Sequence, residues 1–238
     1  MAGPEILRKI VVKVSSDKRN LRGTGFFATD REIVTCHHVL ADGNGSISEG
    51  QRYFVKNDDW ADWIEAQPIE ERCGAAQDFA FLSPLVPIRL EAKSVPFKRW
   101  DGRHKEFFTR GYDCNTSEDE GASSLEGEDC QIVDKSSRGK EPRWQLSTIK
   151  RSLLPGRSGS PVWSVGQKAI VGMIDYQAGD ESILKERSLA IPIEEIFPDL
   201  PQEKVQPVNA PSLPQDFLPR PEDLARLKEL VLSHGEDK

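Results

Sequence analysis

Residues 23–40 read GTGFFATDREIVTCHHVL, and this stretch says more about the fold than any other part of the sequence. Two runs of apolar residues flank a tight turn at Thr29–Arg31, so the pattern predicts two short strands joined by that turn. The second strand ends at His37 and His38, where the chain turns. A histidine at such a strand end can project into a cleft with its ring fixed by packing, as a general base requires.

Short β-branched and aromatic runs broken by Gly, Asp, Asn and Pro continue from residue 6 to about residue 175, which predicts an all-β chain. Before the C-terminal tail, a short helix is expected only at Val39–Leu40. Residues 113–142 are polar and are interpreted as an exposed loop insertion, with a flexible loop favoured over a recognition element. The predicted strands are Ile6–Val14, Gly23–Thr29, Glu32–Thr35, Arg52–Val55, Asp78–Leu82, Glu106–Gly111, Arg143–Thr148, Pro161–Ser164 and Ala169–Ile174.

Two further segments carry candidate chemistry. In QDFAFL, residues 77–82, Asp78 precedes four apolar residues and is predicted to begin a buried strand. A lone buried carboxylate is costly unless it is paired, and an imidazole NH is a suitable partner. In LPGRSGSPVW, residues 154–163, glycines flank Ser158 on a sharp turn. Gly156 allows the backbone to turn so that the NH groups of Gly156 and Ser158 point at one spot, which predicts an oxyanion hole.

The order His, Asp, Ser, with the motifs GTGFF, TxxHV, D-apolar-A-apolar-L and GxSGSPV, resembles the trypsin-like (chymotrypsin-fold) serine peptidases over roughly residues 6–197. The later segment SLAIPIEEI is similar to the one that closes the Deg-type branch of that family. The resemblance implies an all-β fold of two six-stranded antiparallel β-barrels and a catalytic triad of His38, Asp78 and Ser158. It makes His38 the base rather than His37, because of its place in the TxxHV motif.

Several positions depart from the secreted digestive members of the family. Val39 stands where those members commonly have a cysteine after the catalytic histidine. Arg157 stands where they carry the acid that pairs with a newly liberated N-terminus, so activation by that route is not expected. By the same resemblance Ser152 lies at the base of the primary specificity pocket, with Leu153 beside it. This uncharged floor predicts a preference for a small or medium apolar residue. An acid lining the pocket from the opposite strand would overturn that preference, and the candidates are Asp175, Asp180 and Glu181.

The C-terminal part of the sequence has a different composition. Residues 201–221 contain six prolines and are predicted to be a linker. The stretch QDFLPRPEDLARLKELVL is similar to the segment that joins an N-terminal effector to the nucleotide-binding core in bacterial STAND-class ATPases of NACHT or NB-ARC type. The expected organisation is therefore a peptidase domain over 1–200, the Pro-rich linker, and the start of a short helix over 222–238 leading to a missing downstream domain. A simple proline-rich tail is the alternative.

The charge balance and the cysteines limit the expected partners and compartment. With 32 Lys+Arg, 39 Asp+Glu and a formal charge of −7, the overall field repels phosphate backbones, so no nucleic-acid partner is expected. No stretch approaches the ~20 apolar residues of a membrane span, and the N-terminus lacks a signal peptide pattern. The cysteines show no CxxC pair, so reduced thiols in the cytoplasm are expected; they are Cys36, Cys73, Cys114 and Cys130.

The sequence therefore predicts a serine endopeptidase that cleaves protein or peptide substrates without a cofactor or metal. The resemblances imply the regulated effector module of a larger bacterial sensor in antiviral or stress defence, whose C-terminal NTPase or sensor region would be its partner. A catalytically dormant, protease-like binding module is the alternative. A metal site built from His37, His38, His104 and Cys36 is disfavoured, because adjacent residues on a strand point to opposite faces.

Overall fold

The computed structural model describes residues 3–88, 95–114, 123–138, 141–148, 155–175 and 187–201. The strands of the first half are β1 (Val11–Ser15), β2 (Leu21–Phe27), β3 (Ile33–Thr35), β4 (Tyr53–Lys56), β5 (Ile64–Pro68) and β6 (Ala80–Pro84). Those of the second half are β7 (Phe107–Cys114), β8 (Ser123–Arg138), β9 (Glu141–Thr148), β10 (Pro161–Ser164), β11 (Ala169–Asp175) and β12 (Arg187–Pro192). The helices are α1 (Gly3–Ile10), α2 (His37–Leu40) and α3 (Ile193–Ile196), with a single 3₁₀ turn at Glu70–Arg72.

The strands form two closed barrels of six strands each, which confirms the predicted fold class. The first barrel has the order β1-β2-β3-β6-β5-β4, and the second has the order β10-β11-β12-β9-β8-β7. Every named strand pair is antiparallel. Closure leaves neither sheet with an unpaired edge. Apolar side chains with almost no exposure fill the barrels, among them Phe26, Val55 and Phe81 in the first and Leu146, Val162 and Ile174 in the second.

The N-terminal segment differs from its prediction as one strand over Ile6–Val14. Residues 3–10 form helix α1, and the strand begins only at Val11. Leu7 and Ile10, three residues apart, bury one face of this helix, which is the periodicity of a helix rather than a strand. Glu5 in the first turn and Arg8 in the last also suit the helix dipole. Because the apolar residues continue without a break from α1 into β1, the sequence pattern did not show where the helical spacing ends and the strand begins.

The interpretation of residues 113–142 as a loop insertion is wrong. Strand β7 continues to Cys114, β8 runs over Ser123–Arg138, and β9 begins at Glu141, so the described part of this segment is mostly β-hairpin. The polar composition suggested exposure to solvent, but some charged side chains of this segment, such as Asp113 and Glu128, are buried inside the fold. Strands β5 and β12 were also absent from the predicted set, whereas a short helix at Val39–Leu40 is present within α2.

The C-terminal segment cannot be compared with its prediction. The chain divides into one unit over residues 1–202 and another over 203–238. Apart from Pro201, the predicted linker 201–221 and the predicted helix start at 222–238 lie outside the described residues. Within the described part of the chain, no helix has the length and apolar character of a membrane span.

Candidate active site

His38 is positioned by the strand that precedes it. Strand β3 ends at Thr35, and His38 follows in the first turn of helix α2. The His38 Nδ1 atom lies 2.7 Å from Oδ2 of Asp78, and the His38 backbone NH donates to Oδ1 of the same carboxylate at 2.9 Å. A carboxylate partner keeps the proton on Nδ1, so Nε2 is the nitrogen that can accept a proton. The His38 side chain is 28% exposed, which leaves part of the ring accessible.

Asp78 lies beside this histidine, just before the strand that pairs with β3. Strand β6 pairs with β3, with Ala80 opposite Thr35, so the residues just before β6 lie beside those just after β3. Asp78 precedes β6 by two residues and adopts a left-handed backbone with φ of 59°. Burial raises the pKa of Asp78, but hydrogen bonds involving His38 and Asp175 outweigh it and hold the pKa below its ordinary value. Asp78 is therefore ionised at neutral pH.

The turn that carries Ser158 is tied to both barrels. Thr24 in β2 donates its backbone NH to the Ser158 carbonyl at 2.8 Å and its hydroxyl to the Gly156 carbonyl at 2.7 Å. On the other side, the Gly159 NH donates to the Ile174 carbonyl at 2.9 Å. Ser158 thus sits on a turn held by β2 of the first barrel and β11 of the second.

Glycine is required on both sides of the serine. Gly156 has φ of 97° and Gly159 has φ of 88°, in the left-handed region that residues with a side chain rarely adopt. A Cβ on Gly159 would lie 1.9 Å from the Thr24 carbonyl oxygen. A Cβ on Gly156 would lie 2.7 Å from the Tyr112 carbonyl oxygen. The glycines therefore give the turn both its conformation and its close approach to the barrels.

The predicted triad residues all lie at the same junction of strands. Thr24, which binds the Ser158 carbonyl, is next to Gly25, and Gly25 pairs with Thr35 at the end of the strand that leads to His38. Gly23 gives a second measure of this proximity. A Cβ there would meet Val39 Cγ2 at 2.5 Å and the Ser158 carbonyl oxygen at 3.1 Å. The backbone of Ser158 and the helix that carries His38 therefore pack against one spot on β2.

A buried ion pair holds the residue before the serine. Arg157 and Asp113 are both almost fully buried. The Arg157 Nε atom binds Oδ1 of Asp113, its Nη2 atom lies 3.1 Å from Oδ2, and its Nη1 atom donates to the Glu126 carbonyl at 2.8 Å. The sequence identified Arg157 as a departure from the secreted enzymes, but it did not identify the residue that pairs with Arg157. The partner comes from β7, inside the segment that was predicted to be a loop.

Asp175 and Arg143 form a second buried pair, beside Asp78, that the sequence did not predict. Asp175, at the end of β11, accepts from Nε of Arg143 at 2.7 Å and is hydrogen-bonded to Asp78. From the sequence, Asp175 was expected only as a possible lining residue of the specificity pocket. Like Asp78, it is a lone acid at one end of an apolar strand, here 169–175, and that signal could have predicted a buried partner.

Four potential metal ligands come together around the histidine, namely Cys36, His38, Asp78 and Asp175, with one donor atom of each lying within 4.8 Å of the others. Each already has a protein partner, since the Cys36 thiol donates to the Ile174 carbonyl at 3.1 Å and Arg143 lies against Asp175. Burial, with the charge of Asp78, raises the pKa of Cys36 and keeps it a neutral thiol. Hydrogen bonds therefore engage every member of this cluster. His104, which belonged to the disfavoured metal-site alternative, pairs elsewhere, with Asp101 at 2.8 Å.

The specificity pocket cannot be described. Ser152 and Leu153, the predicted floor, lie outside the described residues, and so do Asp180 and Glu181. The predicted pocket preference therefore stays a prediction.

Comparison with known families gives a matching domain family. Residues 23–173 match the family model of the trypsin-like peptidase domain. The chain belongs to this family. The matched range contains the histidine, aspartate and serine described above. A comparison with curated protein sequences finds no match.

Solved structures share the fold of this trypsin-like peptidase domain. The active form of the Rv3671c protease from M. tuberculosis is 16% identical with a TM-score of 0.61, over 82% of this chain and 82% of that chain. An inactive form is 16% identical with a TM-score of 0.58, over 84% and 93% of the two chains. The HtrA-type protease AlgW, solved with a decapeptide, is 16% identical with a TM-score of 0.56, over 75% of this chain and 50% of that chain.

The close approach at Gly159 predicts that Gly159→Ala destabilises the fold. The left-handed backbone and the contact with the Thr24 carbonyl together lead us to expect a loss of at least about 2 kcal/mol, or a fall in Tm of about 4–8 °C. Thermal unfolding followed by circular dichroism measures this fall. Gly43→Ala is the matched control, because a Cβ on Gly43 meets nothing within 4 Å. Equal Tm values for the two variants would contradict the assignment.

The buried Arg157–Asp113 pair predicts that Asp113→Ala costs about 3–5 kcal/mol of unfolding free energy, because an uncompensated guanidinium stays buried. Urea unfolding followed by tryptophan fluorescence measures the loss. The double variant Arg157→Met/Asp113→Leu is expected to recover most of it. Asp59→Ala, which breaks the exposed pair with Arg8, serves as the control and is expected to change stability by less than about 1 kcal/mol. A loss at Asp113 no larger than at Asp59 would refute this role.

Proposed function

We propose that this trypsin-like peptidase domain is a serine endopeptidase that cleaves protein or peptide substrates through an acyl-enzyme. The observation that carries the proposal is the double attachment of the Asp78 carboxylate to the side chain and backbone of His38. That attachment fixes both the orientation of the imidazole and its tautomer, which is what a general base beside a serine requires.

The reaction follows from the roles of the three side chains. His38 Nε2 takes the proton of the Ser158 hydroxyl as its oxygen attacks the carbonyl carbon of the scissile peptide. The NH groups of Gly156 and Ser158 are the proposed donors to the oxyanion that develops. When the C–N bond breaks, His38 returns the proton to the leaving amine, and Asp78 stabilises the imidazolium in between. Water then attacks the ester by the same route and releases the acid.

We propose a substrate preference of the specificity pocket from fewer observations than the catalytic mechanism. Ser152 and Leu153 provide an uncharged floor by resemblance, which favours a small or medium apolar residue before the scissile bond. One observation supports this preference: Asp175, one of the three acids that would reverse it, is buried and bound to Arg143. An acid held in this way is not available to pair with a substrate cation.

A dormant binding module is the second candidate function. In that case the barrels would present a cleft or surface to a partner protein and Ser158 would not react. Asp175 favours neither candidate, but the ionised Asp78 beside His38 favours the enzyme, because a binding surface gains nothing from a buried carboxylate aligned with an imidazole.

We also propose that the chain acts as the regulated effector of a larger cytoplasmic bacterial sensor in defence against viruses or stress. Its support is the resemblance of the C-terminal stretch QDFLPRPEDLARLKELVL to the effector linker of STAND-class ATPases. The four cysteines are free thiols, which agrees with a reducing compartment. Arg157 adds to this support, because its partner Asp113 comes from within the domain and leaves no role for a newly cut N-terminus.

The serine mechanism predicts covalent labelling at one residue. A fluorophosphonate probe should label the wild-type chain at Ser158, Ser158→Ala should abolish labelling, and Asp78→Asn should slow it by about 10³–10⁴-fold because the imidazole adopts the wrong tautomer. Mass spectrometry of the labelled peptide gives the site and the rate.

Two controls accompany the labelling. Iodoacetamide should leave the labelling rate unchanged, because the Cys36 thiol is buried and neutral. EDTA should also have no effect. An unlabelled wild-type chain would favour the dormant module, and labelling that persists in Ser158→Ala would refute the triad.

The effector proposal predicts nucleotide control of the parent protein. The gene downstream of Lys238 should encode a GxxxxGK[ST] loop, and ATP should change peptide cleavage by the full-length parent at least about tenfold while leaving the 238-residue chain unaffected. Sequencing and a fluorogenic peptide assay test the two parts. A PDZ-type domain downstream would instead indicate a Deg-like quality-control enzyme.

A further inference from the structure

A line of buried charged groups continues behind the proposed triad. Carboxyl oxygens of Asp78 and Asp175 lie within 4.8 Å of each other and the two groups are hydrogen-bond partners, and Asp175 Oδ2 lies 2.7 Å from Nε of Arg143. The side chains of Arg143 and Asp175 are 1% and 0% exposed. Arg143 also donates through Nη2 to the carbonyl of Gln77, the residue before Asp78, at 2.9 Å. The order is therefore His38, Asp78, Asp175 and Arg143, with the arginine touching the backbone next to the aspartate that binds the histidine.

Two carboxyl groups in hydrogen-bonding contact cannot both lack a proton. Neither has an oxygen that can donate unless one of the groups is protonated, and two bare carboxylates repel each other strongly in a buried place. Asp78 accepts from both the ring and the backbone of His38, and those two bonds stabilise its anionic form. The proton therefore belongs on Asp175.

We propose that Asp175, held by Arg143, is a positioning residue that donates a hydrogen bond to the Asp78 carboxylate and so fixes the acid–base pair of the peptidase. This proposal rests on the serine-peptidase function proposed above. Arg143 binds the carboxyl oxygen that faces it and the Gln77 carbonyl, so a single side chain orients both aspartates. Asp175 comes from β11 and Arg143 from β9, so the second barrel holds a residue of the first barrel in place.

The charged neighbours of Asp175 agree with this assignment. Among the described residues they are Asp78, Arg143 and, through Asp78, His38, and the Cys36 thiol lies within 4.8 Å of the carboxyl group. Burial, together with the hydrogen bond and charge of Asp78, raises the pKa of Asp175 in spite of Arg143. The pKa of Asp78 moves the opposite way, as expected when one member of a pair carries the proton.

The test compares Asp175→Asn with Asp175→Ala in the full 238-residue chain. An asparagine can donate the same hydrogen bond from its amide and accept from Arg143 with its carbonyl, without changing the charge of a protonated aspartic acid. We expect fluorophosphonate labelling per folded site to stay within about threefold of the wild type in Asp175→Asn. In Asp175→Ala we expect it to fall at least about tenfold, because Asp78 loses its alignment.

Nuclear magnetic resonance gives a readout that does not need catalysis. The low-field resonance of the His38 Nδ1 proton should persist in Asp175→Asn and disappear or shift in Asp175→Ala. The carboxyl carbon resonance of Asp175 at pH 7 should be that of a protonated acid. A resonance typical of a carboxylate would mean that Asp175 is an anion in the wild type and would overturn the proposal.

A matched control separates positioning from folding. Glu32→Ala breaks a part-buried pair with Arg72 in the first barrel and should leave both the labelling rate per folded site and the His38 resonance unchanged. If Asp175→Ala behaves like Glu32→Ala, or if Asp175→Asn is as slow as Asp175→Ala, the positioning role is refuted. If the wild-type chain is not labelled but the resonance responds as expected, the serine-peptidase function fails while the hydrogen bond stands.

Discussion

The burial of the Asp78 carboxylate is the constraint on which the rest of the site depends. A charge removed from water is tolerated in a protein when hydrogen bonds and opposite charges replace the lost solvation. Asp78 obtains these from the ring and backbone of His38 on one side and from Asp175 on the other. Asp175 in turn requires Arg143. The need to compensate one carboxylate therefore brings β9 and β11 of the second barrel to a loop of the first.

The serine turn shows the same dependence on neighbours from both barrels. Its backbone is bound by Thr24 on β2 and by Ile174 on β11, and the residue before the serine is bound through Arg157 to Asp113 on β7. Ile174 is adjacent to Asp175, so one strand end supports both the nucleophile turn and the acid behind the histidine. A displacement of β11 would disturb both groups together, which couples the two halves of the proposed triad.

The sequence predicted the strands and site residues whose pattern lies within a few neighbouring positions of the chain. Short apolar runs predicted most strands, and the triad residues stood in motifs read from adjacent positions. The partners of the proposed triad were not predicted. Asp113 and Arg143 carry no local motif, and the position of Asp175 after an apolar strand indicates a buried partner without identifying it. Residues 113–142 show the difficulty most clearly: their charges suggested solvent, yet Asp113 is buried because Arg157, 44 residues away, neutralises it.

Buried pairs of an arginine with a carboxyl group and apolar packing contribute differently to such a site. Apolar side chains of similar volume would stabilise the barrels at least as well as Arg143 with Asp175 or Arg157 with Asp113. They would not fix direction, however, since dispersion contacts are almost insensitive to rotation of the groups that make them. The forked contact of Arg157 with the Asp113 carboxylate fixes both distance and plane. Arg143 fixes direction by bonding Asp175 through Nε and the Gln77 carbonyl through Nη2. These pairs lie beside His38 and Ser158, the two places in the chain where the proposed chemistry needs direction as well as stability.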